Sequence, residues 1–476
     1  MSLEVKYDGH ICRIKGLKEP FPFITYEPKD LKIKQFIPCT DTLYPETIKL
    51  YNVKERNNEE YYYCLSGLKT SICNEEGTFM GTIVSPIDKP VNEKLRYYQK
   101  EAVSKALEQR RGIISIPTGG GKTYVIGEII SYFPRESVLI LVPTTSLLYQ
   151  TIKDISSYLG EEVGQIGDSV VNIKRVSIAI PDTLYSRAEE LKDYLKEVNV
   201  LIGDEAHLLV TPTMCFLSKH LTNSYYKLGL SATPSLSPLA IGLFGASIYN
   251  LEAKKLIEED YIEKPLIRIY KSSFTTNNKR LLEIIENRDL TNKDGSFNSY
   301  NYELLLDNVI NRNTKRNEMI CELALEYMSL GAGLIITSRV KPGSQADKLK
   351  EMLNIKMSAL EVPILKGGNS TKVNKEIIKG LGKGTYPIVI SGPNSIREGT
   401  NIPSLQWIIL ALAGKGGEQG RSLIQQIGRA LRKNPLSNKR PIIAIIKDST
   451  WPFNKQSITQ IETVKSIYGE DSIEEL

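Results

Sequence analysis

The chain has 476 residues, 41% of them hydrophobic and 24% charged, with a formal net charge of +6. That length exceeds one ordinary core and points to a globular protein of two to four domains. The longest unbroken apolar run, Trp407 to Ala413, falls far short of the ~20 residues a membrane helix needs, which argues against a membrane partner.

The start, "MSLEVKYDGH", carries early charges and reads as no secretory signal. Residues 1–88 hold seven tyrosines, among them the run "YYYC" at 61–64, with alternating stretches such as "TIKLYNV". They predict a small β-containing accessory domain. Its aromatics have two readings, stacking on nucleic-acid bases or filling a small core. The six cysteines (12, 39, 64, 73, 215 and 321) never fall at C-x-x-C spacing, and there are only three histidines. Reduced cytosolic thiols fit that pattern better than a zinc site.

Residues 89–253 predict a parallel α/β lobe. Apolar runs at 113–116, 138–142, 176–180, 200–203 and 227–230 alternate with helical segments. The first run enters "IPTGGGKT" (116–123), after which Ile126, Ile129, Ile130 and Phe133 recur at helical spacing. Strand, glycine loop and helix are the context of a phosphate cradle. Backbone N–H groups across Thr118, Gly119, Gly120 and Gly121 face the phosphates with the helix N-terminus, while Lys122 reaches the outer ones. Thr123 brings a hydroxyl to Mg²⁺. The strict G-x-x-x-x-G-K-[ST] pattern wants glycine where this chain has Ile116. A second apolar run, Val200 to Ile202, empties into Asp204 and Glu205. An acid pair at the C-terminal end of such a strand suits Asp204 to the Mg²⁺ shell. Glu205 then orients the attacking water and takes its proton.

A second series of strand-like runs, at 334–337, 388–391, 407–412 and 441–446, predicts another lobe over 254–455, with a tail at 456–476. A connector from about 235 to 262 joins the lobes. The polar stretch 271–301 reads as an exposed insertion, partly without fixed structure, and "ELLLDNVI" behind it as helix. Residues 366–383 are lysine-rich, which suits a phosphate track or an ordinary solvated helix. Residues 254–476 hold 33 basic against 25 acidic side chains, so the basic excess lies wholly in this half. A polyanion track there fits that distribution.

"PTGGGKT" and "DEAH" (204–207) resemble motifs I and II of superfamily-2 helicases, and the rest of that series follows in order across about 95–450. "LRYYQKEA" (95–102) is similar to the segment whose glutamine, here Gln99, contacts adenine. "VPTTSLLYQ" (142–150) resembles motif Ia and "IPDTL" (180–184) a form of Ib. "SATP" (231–234), "LIITSR" (334–339), "REGTNIP" (397–403) and "QQIGRALR" (425–432) resemble motifs III to VI. The resemblance implies two RecA-like lobes, ATP with Mg²⁺, and motif VI residues Gln425, Arg429 and Arg432 at the γ-phosphate, worth ~10³–10⁵ in rate for such an arginine. It implies nucleic-acid contacts at Thr144, Thr145, Ser146, Thr183, Arg339, Gly367, Gly368 and Thr400. Thr145 or Ser146 as a helix N-cap, and Gly367–Gly368 as a plain turn, are the competing readings. Coupling between nucleotide and nucleic acid falls to His207, Ser231, Thr233, Gly399 and Asn401, the last where many relatives carry Asp. Within the superfamily the chain looks most like the phage UvsW-type branch-migration helicases, relatives of the XPB and RecG groups. That implies a cytoplasmic, monomeric DNA motor acting on single-stranded, forked or branched DNA, in the host's cytoplasm for a phage-encoded chain. An RNA helicase or the motor subunit of a restriction-type translocase are the alternatives.

Overall fold

The computed structural model describes residues 4–15, 25–26, 48–49, 51–56, 59–69, 77–234, 236–292, 294–357, 361–366, 368–392, 405–412, 428 and 440–476. Two compact units emerge, Met1–Pro117 with Gly121–Leu251, and Thr118–Gly120 with Glu252–Leu476. The architecture is α/β, with two RecA-like lobes and a small N-terminal β-sheet.

In the first unit, strands β1 (Glu4–Tyr7), β2 (Ile11–Lys15), β3 (Tyr51–Arg56), β4 (Glu59–Leu65) and β5 (Thr78–Phe79) form the N-terminal sheet in the order β3-β4-β2-β1-β5. Its pairings are antiparallel except β1 with β5. Val5, Cys12, Ile14, Cys64, Leu65 and Leu68 point inward and join one continuous core with Leu139, Leu201, Leu243 and Phe244 of the lobe that follows. The sheet therefore packs as part of that lobe's unit.

The lobe itself is an eight-stranded sheet. Its strands are β6 (Arg111–Ser115), β7 (Val138–Leu141), β8 (Gly164–Gly167), β9 (Val170–Asn172), β10 (Val176–Ala179), β11 (Val200–Asp204), β12 (Tyr226–Ser231) and β13 (Ser247–Asn250). They run in the order β9-β8-β10-β7-β11-β12-β6-β13, parallel throughout except the β8–β9 hairpin. The five runs read from sequence are the central strands, buried on both faces, which is why they are continuous apolar stretches. The edge strands β9 and β13 are largely exposed and carry no such signature. Residues 238–250, read as connector, form a helix (Pro238–Phe244) and strand β13 of this lobe, so the chain passes to the second unit only after Leu251.

Polar groups fasten the N-terminal sheet to the lobe. Arg111 donates to Ser66 Oγ (2.7 Å), Asp8 O (3.2 Å) and Ser224 O (2.6 Å), and Lys227 Nζ donates to Gly9 O at 3.1 Å. His10 Nδ1 shares a hydrogen with Ser218 Oγ at 2.8 Å. A Cβ on Gly9 would lie 1.8 Å from Leu221 O, so the loop and the lobe touch backbone to backbone. Burial, then the neighbouring cations Lys227 and Lys219, push the His10 imidazole down to about 3. Burial and Arg111 lower the Lys227 ammonium to about 7.

Both folded values lie below their unfolded ones, so the unfolded chain binds protons first as pH falls. The His10 contribution is complete above about 6.5 and is lost toward about 3. The Lys227 contribution is complete only above about 10 and is lost as pH falls through about 7. Thermal melts between about pH 4 and 9.5 should therefore climb in two windows, the lower flattened in His10→Gln and the upper in Lys227→Met. A Lys227→Met curve parallel to the parent's above neutral pH removes Lys227 as the source of the upper window.

The second unit holds β14 (Leu266–Ser272), β15 (Gly333–Thr337), β16 (Ile364–Leu365), β17 (Ile388–Ser391), β18 (Trp407–Ala411), β19 (Ile442–Asp448) and β20 (Ile473–Glu475). All pair in parallel, in the order β16-β17-β15-β18-β19-β14-β20. Ile335, Ile390, Trp407, Ile409 and Ala444 from the sheet meet Ile320, Ala324 and Leu349 from the covering helices Thr314–Met328 and Gln345–Met357. Residues read as a tail end the helix Phe453–Tyr468 and supply β20, so they belong to the lobe.

The insertion read as partly unstructured is ordered wherever it is described. Helices Lys279–Glu286 and Ser299–Leu305 close a small core of their own from Leu281, Ile284, Leu305, Leu306, Val309, Ile310 and Phe453. Leu281, Ile284 and Ile285 recur at helical spacing, but the polar neighbours mask that stripe in a composition count. No helix among the described residues is long and apolar enough to cross a membrane. Of the cysteines, 12, 64, 215 and 321 are buried free thiols, while 39 and 73 lie outside the described residues.

Candidate active site

The glycine loop leaves β6 and enters the helix Lys122–Ser131. Gly119 and Gly121 hold φ of 87° and 80°, in the left-handed region that glycine enters without strain. Gly121 is fixed sterically as well, since a Cβ there would lie 2.4 Å from Gln99 Nε2. Gln99 itself sits in the first turn of the helix Tyr97–Gln109, where its Oε1 accepts from Arg96 N at 2.9 Å and its Nε2 donates to Gly121 O at 3.4 Å. The glutamine that the resemblance sets against adenine is thus fixed to its own helix N-terminus by one end of its amide and to the cradle by the other.

Asp204 closes β11, next to Leu230 of β12, and is 6% exposed. Glu205 follows in a left-handed conformation, φ 50° and ψ 50°, unusual for a non-glycine residue and costing ~1–2 kcal/mol. The bend turns its carboxylate toward the glycine loop. Glu205 Oε1 accepts from Lys122 Nζ at 2.6 Å, while Oε2 is buried with no hydrogen-bond partner and lies 3.6 Å from His207 Nδ1. His207 Nδ1 shares a hydrogen with Ser231 Oγ at 2.8 Å, and Ser231 Oγ accepts from Thr233 N at 3.0 Å. Ser231 ends β12, and its carbonyl accepts from Ile116 N at the mouth of the loop (3.1 Å). One polar chain therefore links Lys122, Glu205, His207, Ser231 and Thr233, joining the acid pair to the strand beside the phosphate loop.

An unnoticed member supports this site. Glu128, 1% exposed on the loop's helix, accepts from Tyr158 OH (2.6 Å), Asn92 N (3.1 Å) and Lys89 Nζ (3.1 Å). Burial alone raises its pKa, but these bonds outweigh burial and hold the carboxyl below its ordinary value. It straps the chain preceding Gln99 to the helix that carries Lys122. A lone carboxylate in the apolar stretch "YVIGEIISYF" was the signal available.

The expected nucleic-acid residues divide into several cases. Thr144, not Thr145 or Ser146, is the N-cap of the helix Thr145–Leu159, its Oγ accepting from Leu147 N at 3.3 Å. Thr145 and Ser146 are exposed on the first turn. Thr183 is half-buried within the helix Pro181–Ser186, and Gly368 lies in an exposed turn with open space where a Cβ would stand. Arg339 already has a partner, both terminal nitrogens of its guanidinium donating to the two Glu303 oxygens. Gly367, Gly399, Thr400, Asn401, Gln425, Arg429 and Arg432 lie outside the described residues.

A phosphate loop, a strand-end acid pair and a polar relay to the next strand make an NTP-hydrolysing motor lobe. Comparison with known proteins agrees. Residues 92–236 match the family described as type III restriction enzyme, res subunit, and 315–434 match the helicase conserved C-terminal domain. The chain is 28% identical over 371 residues to the DNA 3'-5' translocase XPB2 of Sulfurisphaera tokodaii, covering 71% of this chain and 79% of that one. It is 24% identical over 359 residues to the ATP-dependent DNA helicase uvsW of Enterobacteria phage T4, covering 71% and 65% respectively. Among solved structures, Dbp5 of S. cerevisiae bound to RNA and ADP BeF3 superposes with a TM-score of 0.57 at 16% identity, over 81% of this chain and 90% of that one, a likeness of fold. The chain belongs to the superfamily-2 DNA helicase and translocase family and is an ATP-driven helicase.

Proposed function

We propose that this chain hydrolyses ATP to move along DNA and to remodel forked or branched duplexes. The observation that carries the motor reading is the polar relay from Lys122 through Glu205 and His207 to Ser231. A change at the phosphates is felt at the end of β12 through that relay. The DNA reading draws support from the alignment of 71% of the chain with a DNA translocase and with a DNA helicase.

In this reading Lys122 binds the outer phosphates, and the cradle from Thr118 to Gly121 orients them. Gln99 fixes the adenine. Glu205 orients water and takes its proton, with the buried Oε2, which makes no hydrogen bond, as the basic atom. The residues present suit Mg²⁺, which binds through one or two carboxylates with substrate phosphates rather than through an all-protein cage. Asp204 and Thr123 would hold it, and when bound it neutralises charge on the transferring phosphoryl group. His207 and Ser231 couple that event to the motif III turn. Thr144, Thr145, Ser146, Thr183, Gly367, Gly368 and Thr400 serve as backbone contacts, and the second half's excess of 33 basic over 25 acidic residues favours tracking there. The N-terminal sheet, docked on the first lobe, is the candidate branch reader by shape. Such an enzyme works as a monomer in the cytoplasm.

One other reading has an observation behind it, the match of residues 92–236 to a restriction-type motor. That motor would act on plain duplex. ATPase stimulation measured with single-stranded, linear duplex, forked and four-way DNA, and with RNA, separates them. Branched DNA should stimulate most. Equal stimulation by linear duplex favours the restriction-type motor, and a preference for RNA sinks the DNA assignment.

A further inference from the structure

The small helical insertion of the second unit carries a feature its core does not need. Phe274, Tyr302 and Trp451 pack against that core, yet Tyr300 stands 62% exposed on the helix Ser299–Leu305. The Arg280 guanidinium, from the helix Lys279–Glu286, lies 5.2 Å from the centroid of the Tyr300 ring. An arginine on one face of an exposed ring is a cation–π pair whose own energy is only ~0.5–1 kcal/mol in water. It leaves planar groups bearing positive charge open to solvent.

The neighbours point to the ligand. Glu303 lies three residues after Tyr300, hence on the same side of the helix, and it grips Arg339 through both oxygens. Arg339 closes the motif IV segment "LIITSR", which the DNA-motor reading places beside the nucleic acid. Arg280, Tyr300, Glu303 and Arg339 thus form one stripe from the insertion to that motif. With Arg339 satisfying Glu303, the carboxylate does not oppose a nearby phosphate, and Arg280 is the cation facing outward beside an aromatic ring. The adjoining cleft of about 610 Å³ that Arg280 lines sets Arg280 and Arg288 against Glu283 and Asp289. The cleft therefore adds no net positive charge, and the outward cation of the stripe is Arg280 on the Tyr300 ring.

We propose that Tyr300 and Arg280 form a stacking platform for one unpaired base of the tracked strand, with the Arg280 guanidinium also taking a flanking phosphate. The inference rests on the DNA-motor reading and adds a contact that the motif series does not contain. A base in duplex has both faces covered by its neighbours, so the platform selects single strand over duplex. Every base offers a π-face, so it does so without regard to sequence.

The test uses the full chain and an oligothymidylate carrying one 2-aminopurine, whose fluorescence is quenched when it stacks on an aromatic ring. The parent chain and Tyr300→Phe should quench the probe and bind alike. Tyr300→Ala should lose the quench, and both it and Arg280→Ala should bind the single strand roughly 5- to 100-fold more weakly. Blunt duplex affinity should shift by no more than about twofold, because the platform is closed to paired bases. Unchanged single-strand binding in Tyr300→Ala overturns the platform, as does equal loss of single strand and duplex. So does a self-associated parent chain that Tyr300→Ala makes monomeric by sedimentation, which would assign the patch to a second copy of the chain. Failure of every DNA to stimulate the parent ATPase would instead overturn the DNA-motor reading itself.

Discussion

Glu205→Gln is expected to bind ATP at least as tightly as the parent chain and to turn it over ~10²–10⁴ times more slowly, the usual worth of a positioned general base. The first half follows from the ion pair. Lys122 Nζ lies 2.6 Å from Glu205 Oε1, so phosphates compete with a carboxylate for the same ammonium. Glutamine keeps an acceptor oxygen there and removes the competing charge. The second half follows from the other oxygen, because Glu205 Oε2 is buried without a hydrogen bond, 3.6 Å from His207 Nδ1, and follows a left-handed backbone at φ 50°. An amide in its place takes no proton. Nucleotide affinity by titration and single-turnover hydrolysis by quench measure the two halves separately. Near-parental hydrolysis in this variant would remove Glu205 from the base role and leave it as a mere counter-ion.

The same site shows why some of this protein is legible in its sequence and some is not. The glycine loop, the acid pair and the nine core strands all express local rules. A strand covered on both faces must be apolar throughout, and a backbone wrapped on phosphate needs φ that glycine permits. What the sequence hides depends on long-range partners. Lys227 opens the strand-like run at 227–230, and nothing near it in sequence names a partner for its ammonium, yet it is 1% exposed beneath the Gly9 carbonyl, more than two hundred residues away in sequence. Residues 1–88 read as a separate domain for the same reason. The bonds of half-buried Arg111 and buried Lys227 to the loop at 8–10, and the burial of Leu65 and Leu68 in the shared core, cannot be inferred from either segment alone. Deleting residues 1–86 would bare those cations and cut that core, so the branch-reading role of the sheet is better approached by surface substitution than by truncation. Arg339 shows the other limit. Its motif announces a nucleic-acid contact, and only the fold reveals Glu303 as its partner.

Lys122→Ala should cost both turnover and stability, and a second substitution at Glu205 should repair the stability alone. Loss of a charged donor to phosphate is worth ~1.5–3 kcal/mol, so ATP affinity should fall roughly 10- to 100-fold, and turnover should fall with it. The variant should also be less stable, because it strands the Glu205 carboxylate. Breaking a fully buried pair costs ~3–5 kcal/mol, but here both partners keep 13% exposure, which reduces the expected loss to roughly 1–3 kcal/mol. In a lobe of this size that lowers the melting temperature by about 2–10 °C. Adding Glu205→Gln to Lys122→Ala removes the stranded charge, and the melting temperature should return most of the way to the parent's. Hydrolysis should not return at all, since the double variant lacks both the phosphate cation and the base. Such non-additivity in stability without rescue of turnover is the signature of two side chains coupled through one ion pair but acting on different partners, Lys122 on the phosphates and Glu205 on the attacking water. A double variant as unstable as Lys122→Ala alone would mean that Glu205 is not strained by losing its lysine. The link between phosphate grip and the His207–Ser231 relay would then have to run through the Asp204 backbone instead.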